Sequence, residues 1–482
     1  MNSERACESV SAGVIHSWSS ANLLSNRFLA CQKNRRLLKI PGSRAVWYNP
    51  LVPDSKANLV RAIGCFSLAA LMVNIMIGGG VFEVPASVAG LLGSQSPTAY
   101  LVAAVGMGVI AACLAEVASR FQQVGGPYLY AKVAFGRFLG LQVGWLLWLT
   151  RVSAAAAVVN VFLDYAQPFF PQAKELVYRI VIVTILIGSL AAINVRGVRI
   201  GTQISDLLTV AKLLPLVIFL IGGFWFIRTH PSLLPDITGP YPIRAWINAV
   251  VLIVFAYSGF EAALIPAGEV KNPTRDTPVA LLTAMIVVTV AYSLLQVVVI
   301  RVLANPAQTN FPLLAAARVM GNGSMAAIIS AGALFSSIGY FAANMIATPR
   351  ITFALAEQGD FPRWFAAIHP RYRTPHTSVL AFAAVVWLLS LGGTFRGNAV
   401  LSATTRLVVY GMSCAALPVL RRKFPKQAGF HLPGGVVFAV LGFAFAMILV
   451  SRMGKAELVA LAVTIVIAFL NWLAIRRMRS NS

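Results

Sequence analysis

Charge is scarce in this chain of 482 residues, and acidic charge is scarcest. Asp, Glu, Lys and Arg make up 11% of it, with 15 acidic residues against 39 basic ones, whereas a soluble domain carries about 25% charged residues. That shortage excludes an ordinary soluble globular fold. Cysteine and histidine are scarce as well. The five cysteines (Cys7, Cys31, Cys65, Cys113, Cys414) show no metal-ligand spacing, and at least three sit in or beside apolar stretches, which argues against disulfides and metal centres. The five histidines (His16, His230, His369, His376, His431) are scattered over loops and the N-terminal tail. No Ser–His–Asp arrangement, HExxH, phosphate loop or cofactor fingerprint occurs, so an enzyme reading has no catalytic cluster and no cofactor is expected.

What the chain does have is apolar surface: 58% hydrophobic residues and a mean hydropathy of +0.77, as in a polytopic membrane protein. Stretches long enough to span a bilayer, about 17–25 residues, lie near 62–91, 98–119, 138–164, 176–195, 202–227, 245–268, 279–300, 324–349, 377–395, 398–420, 432–450 and 456–475. If the tail before the first stretch is inside, the inside segments hold 27 Lys and Arg and the outside segments ten, Arg406 among them. Positive charge gathers on the cytoplasmic side, so both termini are expected there. The net charge of +24 is mostly this bias. It is spread over short loops, which argues against nucleic acid as partner. The first 55 or so residues are polar and basic without an apolar core, so they are not a signal peptide. They read as a disordered cytoplasmic extension or an over-long start.

Two of these stretches break at matching places. One reads Ile77-Gly78-Gly79-Gly80-Val81-Phe82-Glu83-Val84-Pro85-Ala86. The other reads Phe255-Ala256-Tyr257-Ser258-Gly259-Phe260-Glu261 and runs on to Pro266-Ala267. Each places a proline seven positions after a glycine, with a glutamate between. Glycine costs about 1 kcal/mol in a helix interior and proline about 3. Unwound backbone at membrane depth persists only where protein covers it or where it lines a cavity. Broken segments at corresponding places of two halves point to the binding site of a secondary transporter. The bland alternative is that Gly78–Gly80 merely lets helices pack closely.

These residues carry a family resemblance. The glycine break of the first span, the Phe255–Glu261 segment and Gly268-Glu269-Val270-Lys271-Asn272-Pro273 after it resemble the amino acid–polyamine–organocation (APC) superfamily. So do Gly125-Gly126-Pro127-Tyr128 and the run from Ser336-Ser337 through Arg350 to Glu357-Gln358-Gly359-Asp360-Phe361-Pro362. The match covers about residues 60–480 and is specific in combination. The resemblance implies an all-α integral membrane protein with about twelve transmembrane helices. They would form a leucine-transporter-like 5+5 inverted repeat with two additional C-terminal helices. The corresponding organisation is an extension (1–58), a first repeat (59–228), a second repeat (229–422) and a C-terminal pair of helices with a basic tail (423–482).

A half-helix that begins inside a membrane presents backbone N–H groups and a positive dipole end, which suit a carboxylate. The end of the other half presents carbonyls, which suit an ammonium. An α-amino acid carries both groups about 2.5 Å apart. The substrate carboxylate is therefore assigned to the amides of Gly78, Gly79 and Gly80, and the ammonium to carbonyls near Ile75 and Ile77 and from Phe255 through Ala256, Tyr257 and Ser258 to Gly259. Phe255 and Tyr257 flank the break and are candidate gates.

Lys212 sits about ten residues into the fifth stretch, about 15 Å from its start, too deep for simple snorkelling. A charge there needs a partner or a water path. In proton-coupled relatives a lysine at the matching place occupies the position of a sodium ion, against first-helix carbonyls and eighth-helix hydroxyls. Val210-Ala211-Lys212-Leu213-Leu214-Pro215 resembles that segment, and Ser336 and Ser337 supply the hydroxyls. The resemblance thus implies proton coupling through Lys212; a permanently protonated strut is the alternative. Glu261 matches the family's acidic residue after the sixth-helix break, with a carboxylate bonded to backbone amides as the plainer role. Glu83 replaces an apolar residue, so the family offers it no role. Arg151 stands beside Thr150 where cationic amino acid carriers of the superfamily tend to have a glutamate, which argues against lysine or arginine as substrate. It is expected to pair with Glu83 or another acid. Glu116 and Arg120, four apart, read as a helix ion pair, and Glu269, Lys271 and Arg275 as parts of an inner gate or loop.

The leading expectation is a plasma-membrane permease that takes up neutral amino acids by alternating access with protons. The alternatives are an exchanger of the same fold and a transporter-like amino acid receptor, whose expected long folded cytoplasmic domain the tail lacks the apolar pattern to form.

Overall fold

A computed structural model describes residues 64–121, 126–167, 169–196, 198–231, 240–263, 270–309, 311–425 and 430–480. The N-terminal extension, Pro266, Ala267 and Glu269 lie outside them. Every element named among the described residues is helical. In chain order the α-helices are α1 (Cys65–Met76), α2 (Gly80–Leu92), α3 (Ser96–Ser119), α4 (Gly126–Phe135), α5 (Arg137–Ala166), α6 (Leu176–Arg196), α7 (Val198–Thr229), α8 (Ile243–Tyr257) and α9 (Phe260–Ala263). They continue with α10 (Pro273–Val302), α11 (Pro312–Glu357), α12 (His376–Gly392), α13 (Phe395–Lys423), α14 (Gly435–Val450) and α15 (Lys455–Ser480). Among the described residues, eight helical stretches are long and apolar enough to cross a membrane, and five shorter apolar helices accompany them.

Local chemistry sets the ends. Pro97, Pro273 and Pro312 stand in the first turns of α3, α10 and α11, where a missing N–H costs nothing. Burial sorts the helices into centre and rim. Of the apolar stretch of α5, 83% is buried in the bundle; of that of α15, 17%. Leu458, Val459, Val463 and Leu470 of α15 and Leu176, Val177 and Ile185 of α6 face outward, an apolar surface that lipid satisfies and water would not.

The two interrupted stretches cross at the centre. The first half-helix α1 packs against α9, the second half of the other stretch, while α2 packs against α8. Around them α10 holds α1, and α7 and α5 both lie along α11.

At one end of the bundle buried ions tie the connections together. Glu116 receives Arg120 at 2.7 Å, as its four-residue spacing suggests, and also Arg421 at 2.6 Å and the Leu432 amide at 2.9 Å. Asp360, just after α11, accepts from Lys132 Nζ at 2.7 Å, from Arg137 Nε at 2.5 Å and from the Tyr128 hydroxyl. Burial by itself would raise the Asp360 carboxyl. These hydrogen bonds and the Lys132 charge outweigh it and hold the group below the usual carboxylate range.

Candidate functional site

The breaks are narrower than the glycines suggest. Ile77, Gly78 and Gly79 leave the helix, but Gly80 is already the first residue of α2. Likewise Phe255, Ala256 and Tyr257 are still the last turn of α8, and only Ser258 and Gly259 depart from it. The reason is local. The Ser258 amide and hydroxyl both donate to the Phe255 carbonyl, at 3.3 and 2.5 Å, which closes the α8 end, and Gly259 then turns the chain with φ of +115°, a conformation that L side chains rarely adopt.

The two breaks touch. A Cβ on Gly259 would lie 3.2 Å from the Ile75 carbonyl oxygen, and one on Gly80 would lie 3.1 Å from the Phe255 ring and 3.4 Å from Ala256 Cα. Tyr292 of α10 joins them, donating to the Met76 carbonyl at 2.9 Å with the Ala256 carbonyl at 3.4 Å. Several groups assigned to substrate already have partners. The Gly78 amide donates to Met76 at 2.8 Å; the Phe255 carbonyl receives Ser258; the Ala256 carbonyl faces Tyr292. Helix geometry leaves the amides of Gly80 and Val81 without an acceptor inside α2. The Tyr340 ring covers Gly78, and the Phe255 ring covers Gly80. Tyr257 does not flank an opening: it is fully buried and its hydroxyl donates to the Tyr100 carbonyl at 3.1 Å.

Lys212 Nζ donates to the Asn74 carbonyl at 2.6 Å, two residues before the end of α1. Ser336 and Ser337 do not join it among the described residues. Ser337 donates to the Ala333 carbonyl at 2.8 Å, and the buried Ser336 hydroxyl has no partner. A hydroxyl on a helix readily turns back to the carbonyl four residues earlier, which is where Ser337 points.

The carboxylates diverge. Glu261 accepts the Gly259 amide at 2.9 Å and the Tyr410 hydroxyl at 2.7 Å, and its other oxygen lies 3.0 Å from Arg406. Arg151 is in electrostatic reach of Glu261, Arg406, Tyr340 and Tyr410, so its acidic neighbour is Glu261. Glu83 meets the Asp164 side chain instead. Thr150 is bonded to Leu146 and Thr405, at 2.8 and 2.9 Å. Arg406, counted above as an outside charge, is buried within α13. An arginine inside an apolar stretch is by itself a signal of function, and that signal could have found it. Tyr292, Tyr340 and Tyr410 carry no such mark in the sequence.

Beside the breaks lies a cavity of about 450 Å³, lined by Glu83 of α2, Asn160 and Asp164 of α5, Arg179 of α6, and Phe395 and Arg396 of α13. Phe395 packs edge-on against Phe255, centroids 5.8 Å apart. The edge-on pair Phe395–Phe255 thus stands between the cavity and Gly80.

Comparison with known proteins accords with this geometry. A family model for amino acid permeases matches residues 63–476. The methylthioribose transporter of Bacillus subtilis is 27% identical over 402 residues, 78% of this chain and 85% of the relative. An uncharacterized transporter of Mycobacterium tuberculosis is 28% identical over 370 residues, 76% and 82%. The branched-chain amino acid permease of B. subtilis is 24% identical over 447 residues, 89% and 96%. These names indicate transport rather than catalysis. With two interrupted apolar helices meeting in the core of an all-helical bundle, and a family match over nearly all of that bundle, this multi-pass membrane protein belongs to the amino acid permease family of the APC superfamily.

Proposed function

We propose that the protein is a plasma-membrane transporter that takes up neutral amino acids by alternating access, driven by protons. On this reading twelve spans form a 5+5 inverted repeat plus two helices, with both termini cytoplasmic, and the cavity at Glu83 opens outward. The observation that carries it is Lys212 bound to Asn74 at 2.6 Å, at the carbonyl end of a half-helix. Such an end favours a cation, and here the cation is a side chain that can lose its proton. A protonated Lys212 holds α1 in place; a neutral one weakens that hold, and α1 is released together with its half of the substrate site.

The substrate carboxylate goes to the first-turn amides of α2, and the ammonium to carbonyls around Ile75 and Ser258. Phe255 and Tyr340 lie on the glycines in this conformation, so they must swing away for the substrate to enter. Two arginines near the breaks, Arg151 and Arg406, face one glutamate, Glu261, an excess of positive charge that repels a cationic substrate. The branched-chain permease among the relatives favours an aliphatic side chain, and the methylthioribose transporter favours a small uncharged thioether.

The test is uptake in proteoliposomes from a panel of labelled leucine, alanine, arginine, putrescine and methylthioribose, with and without an inward proton gradient. Concentrative uptake of a neutral amino acid under the gradient and without sodium is the expected result. Uptake that needs internal amino acid rather than the gradient makes the protein an exchanger. Better displacement of leucine by arginine or putrescine than by alanine overturns the selectivity, and dependence on sodium overturns the coupling.

A further inference from the structure

The two acidic side chains in the cavity, Glu83 of α2 and Asp164 of α5, are in side-chain hydrogen-bond contact. Two ionised carboxylates have no hydrogen to share, so that contact holds only with a proton between them. The Glu83 side chain lines the cavity but is nearly enclosed, 4% exposed, and its buried Oε1 has no hydrogen-bond partner. Asp164 takes a neutral donor on its Oδ1, from Gln167 Nε2 at 2.8 Å. The cations of the cavity are engaged or at its edge. Arg179 of α6 donates to Asn160, Ser390 and Gly393, and Arg396 at the start of α13 lines the wall. The Tyr165 hydroxyl, next in sequence to Asp164, donates to the Phe82 carbonyl at 2.8 Å. The turn after α10 contributes Ala307 and Thr309, and among the described residues neither α8 nor α11 lends a titratable side chain to the lining.

We propose that Glu83 and Asp164 form a proton-binding site, separate from Lys212, that latches the half-helix α2 to α5. With one proton the pair is a hydrogen-bonded monoanion bridging the two helices. When that proton leaves to the water of the cavity, two carboxylates face each other and repel, and α2 is free to tilt. Because α2 supplies the amides next to the glycine break, the latch sets how readily the substrate site forms. That the proton comes from outside the cell rests on the reading of the function above.

The experiment uses the full chain in proteoliposomes at equal pH on both sides, with labelled leucine counterflow measured from pH 5 to 8. One bound proton changes the rate by at most about tenfold per pH unit. Glu83→Gln and Asp164→Asn, which keep a hydrogen-bond donor in the pair, should each remove the same part of that profile and leave only the part that Lys212→Ala abolishes. A wild-type profile retained in both variants overturns the latch. So does a profile that vanishes when sodium is replaced by choline, because a metal cation then occupies the pair. Infrared difference spectra of the same reconstituted protein decide the matter even if leucine is not carried. A protonated carboxyl band present in the wild type and lost in both variants supports the site, and a band retained in both overturns it.

Discussion

Two glutamates follow the two glycine breaks, Glu83 after Gly80 and Glu261 after Gly259, and the structure uses them in opposite ways. Glu261 is held by a backbone amide, a tyrosine hydroxyl and Arg406. Glu83 meets another carboxyl and keeps one oxygen without a partner. One is a compensated anion that fixes the end of a break. The other is an uncompensated site beside a cavity. Matching position in a repeated pattern therefore does not carry matching chemistry, because the partners come from helices distant in sequence: Arg406 and Tyr410 from α13, Asp164 from α5.

The contrast is broken most directly by Glu261→Gln. It leaves Arg406 buried beside Arg151 without an anion, and removing one partner of a buried pair costs about 3–5 kcal/mol. Thermal unfolding in detergent should fall sharply for this variant and barely move for Glu83→Gln; equal shifts would erase the distinction. Next in size is Asp360→Asn at the loop cluster, with about 1.5–3 kcal/mol for hydrogen bonds to a charged group. The Asp360 carboxyl is held below its ordinary value, so its contribution is complete above the unfolded value of about 3.9. It is lost as pH falls through the folded one. The gap between wild type and variant, read as unfolding midpoints against pH, should thus narrow only below about pH 4.

Lys212→Ala sharpens the comparison from the other side of the break. Uptake driven by a pH gradient should drop at least about tenfold, equivalent to about 1.4 kcal/mol, while leucine binding measured by scintillation proximity persists. Full gradient-driven accumulation by the variant would show that Lys212 is only a strut. Smallest is Tyr292→Phe, which removes the hydroxyl that bridges Met76 and Ala256, worth about 1 kcal/mol. A small fall in unfolding midpoint is expected, with cysteine accessibility at Ile75 (Ile75→Cys) increased; unchanged accessibility would deny the bridge.

The interrupted helices were legible because glycine and proline inside apolar runs are exceptional, and Lys212 because charge at that depth is. The serine hydroxyls near Lys212 misled: Ser336 and Ser337 sit in the right segment, yet Ser337 bonds its own helix. Arg151 was expected to meet Glu83 or another acid, and it is Glu261 that it faces. The extent of the breaks was overdrawn as well, since a glycine at a helix start, such as Gly80, stays helical when the turn after it is intact.

Composition alone determined that this chain lives in a membrane, because too little charge and too much apolar surface leave no stable alternative in water. The glycine pattern alone determined where its helices part, since local backbone preference acts within a few residues. Which cation meets which carboxylate, and that Phe255 and Tyr340 rather than an open path lie on the glycines, only the tertiary structure decided. Those pairings join residues up to 305 positions apart, as Glu116 and Arg421 are, and nothing in local sequence specifies a contact at that separation.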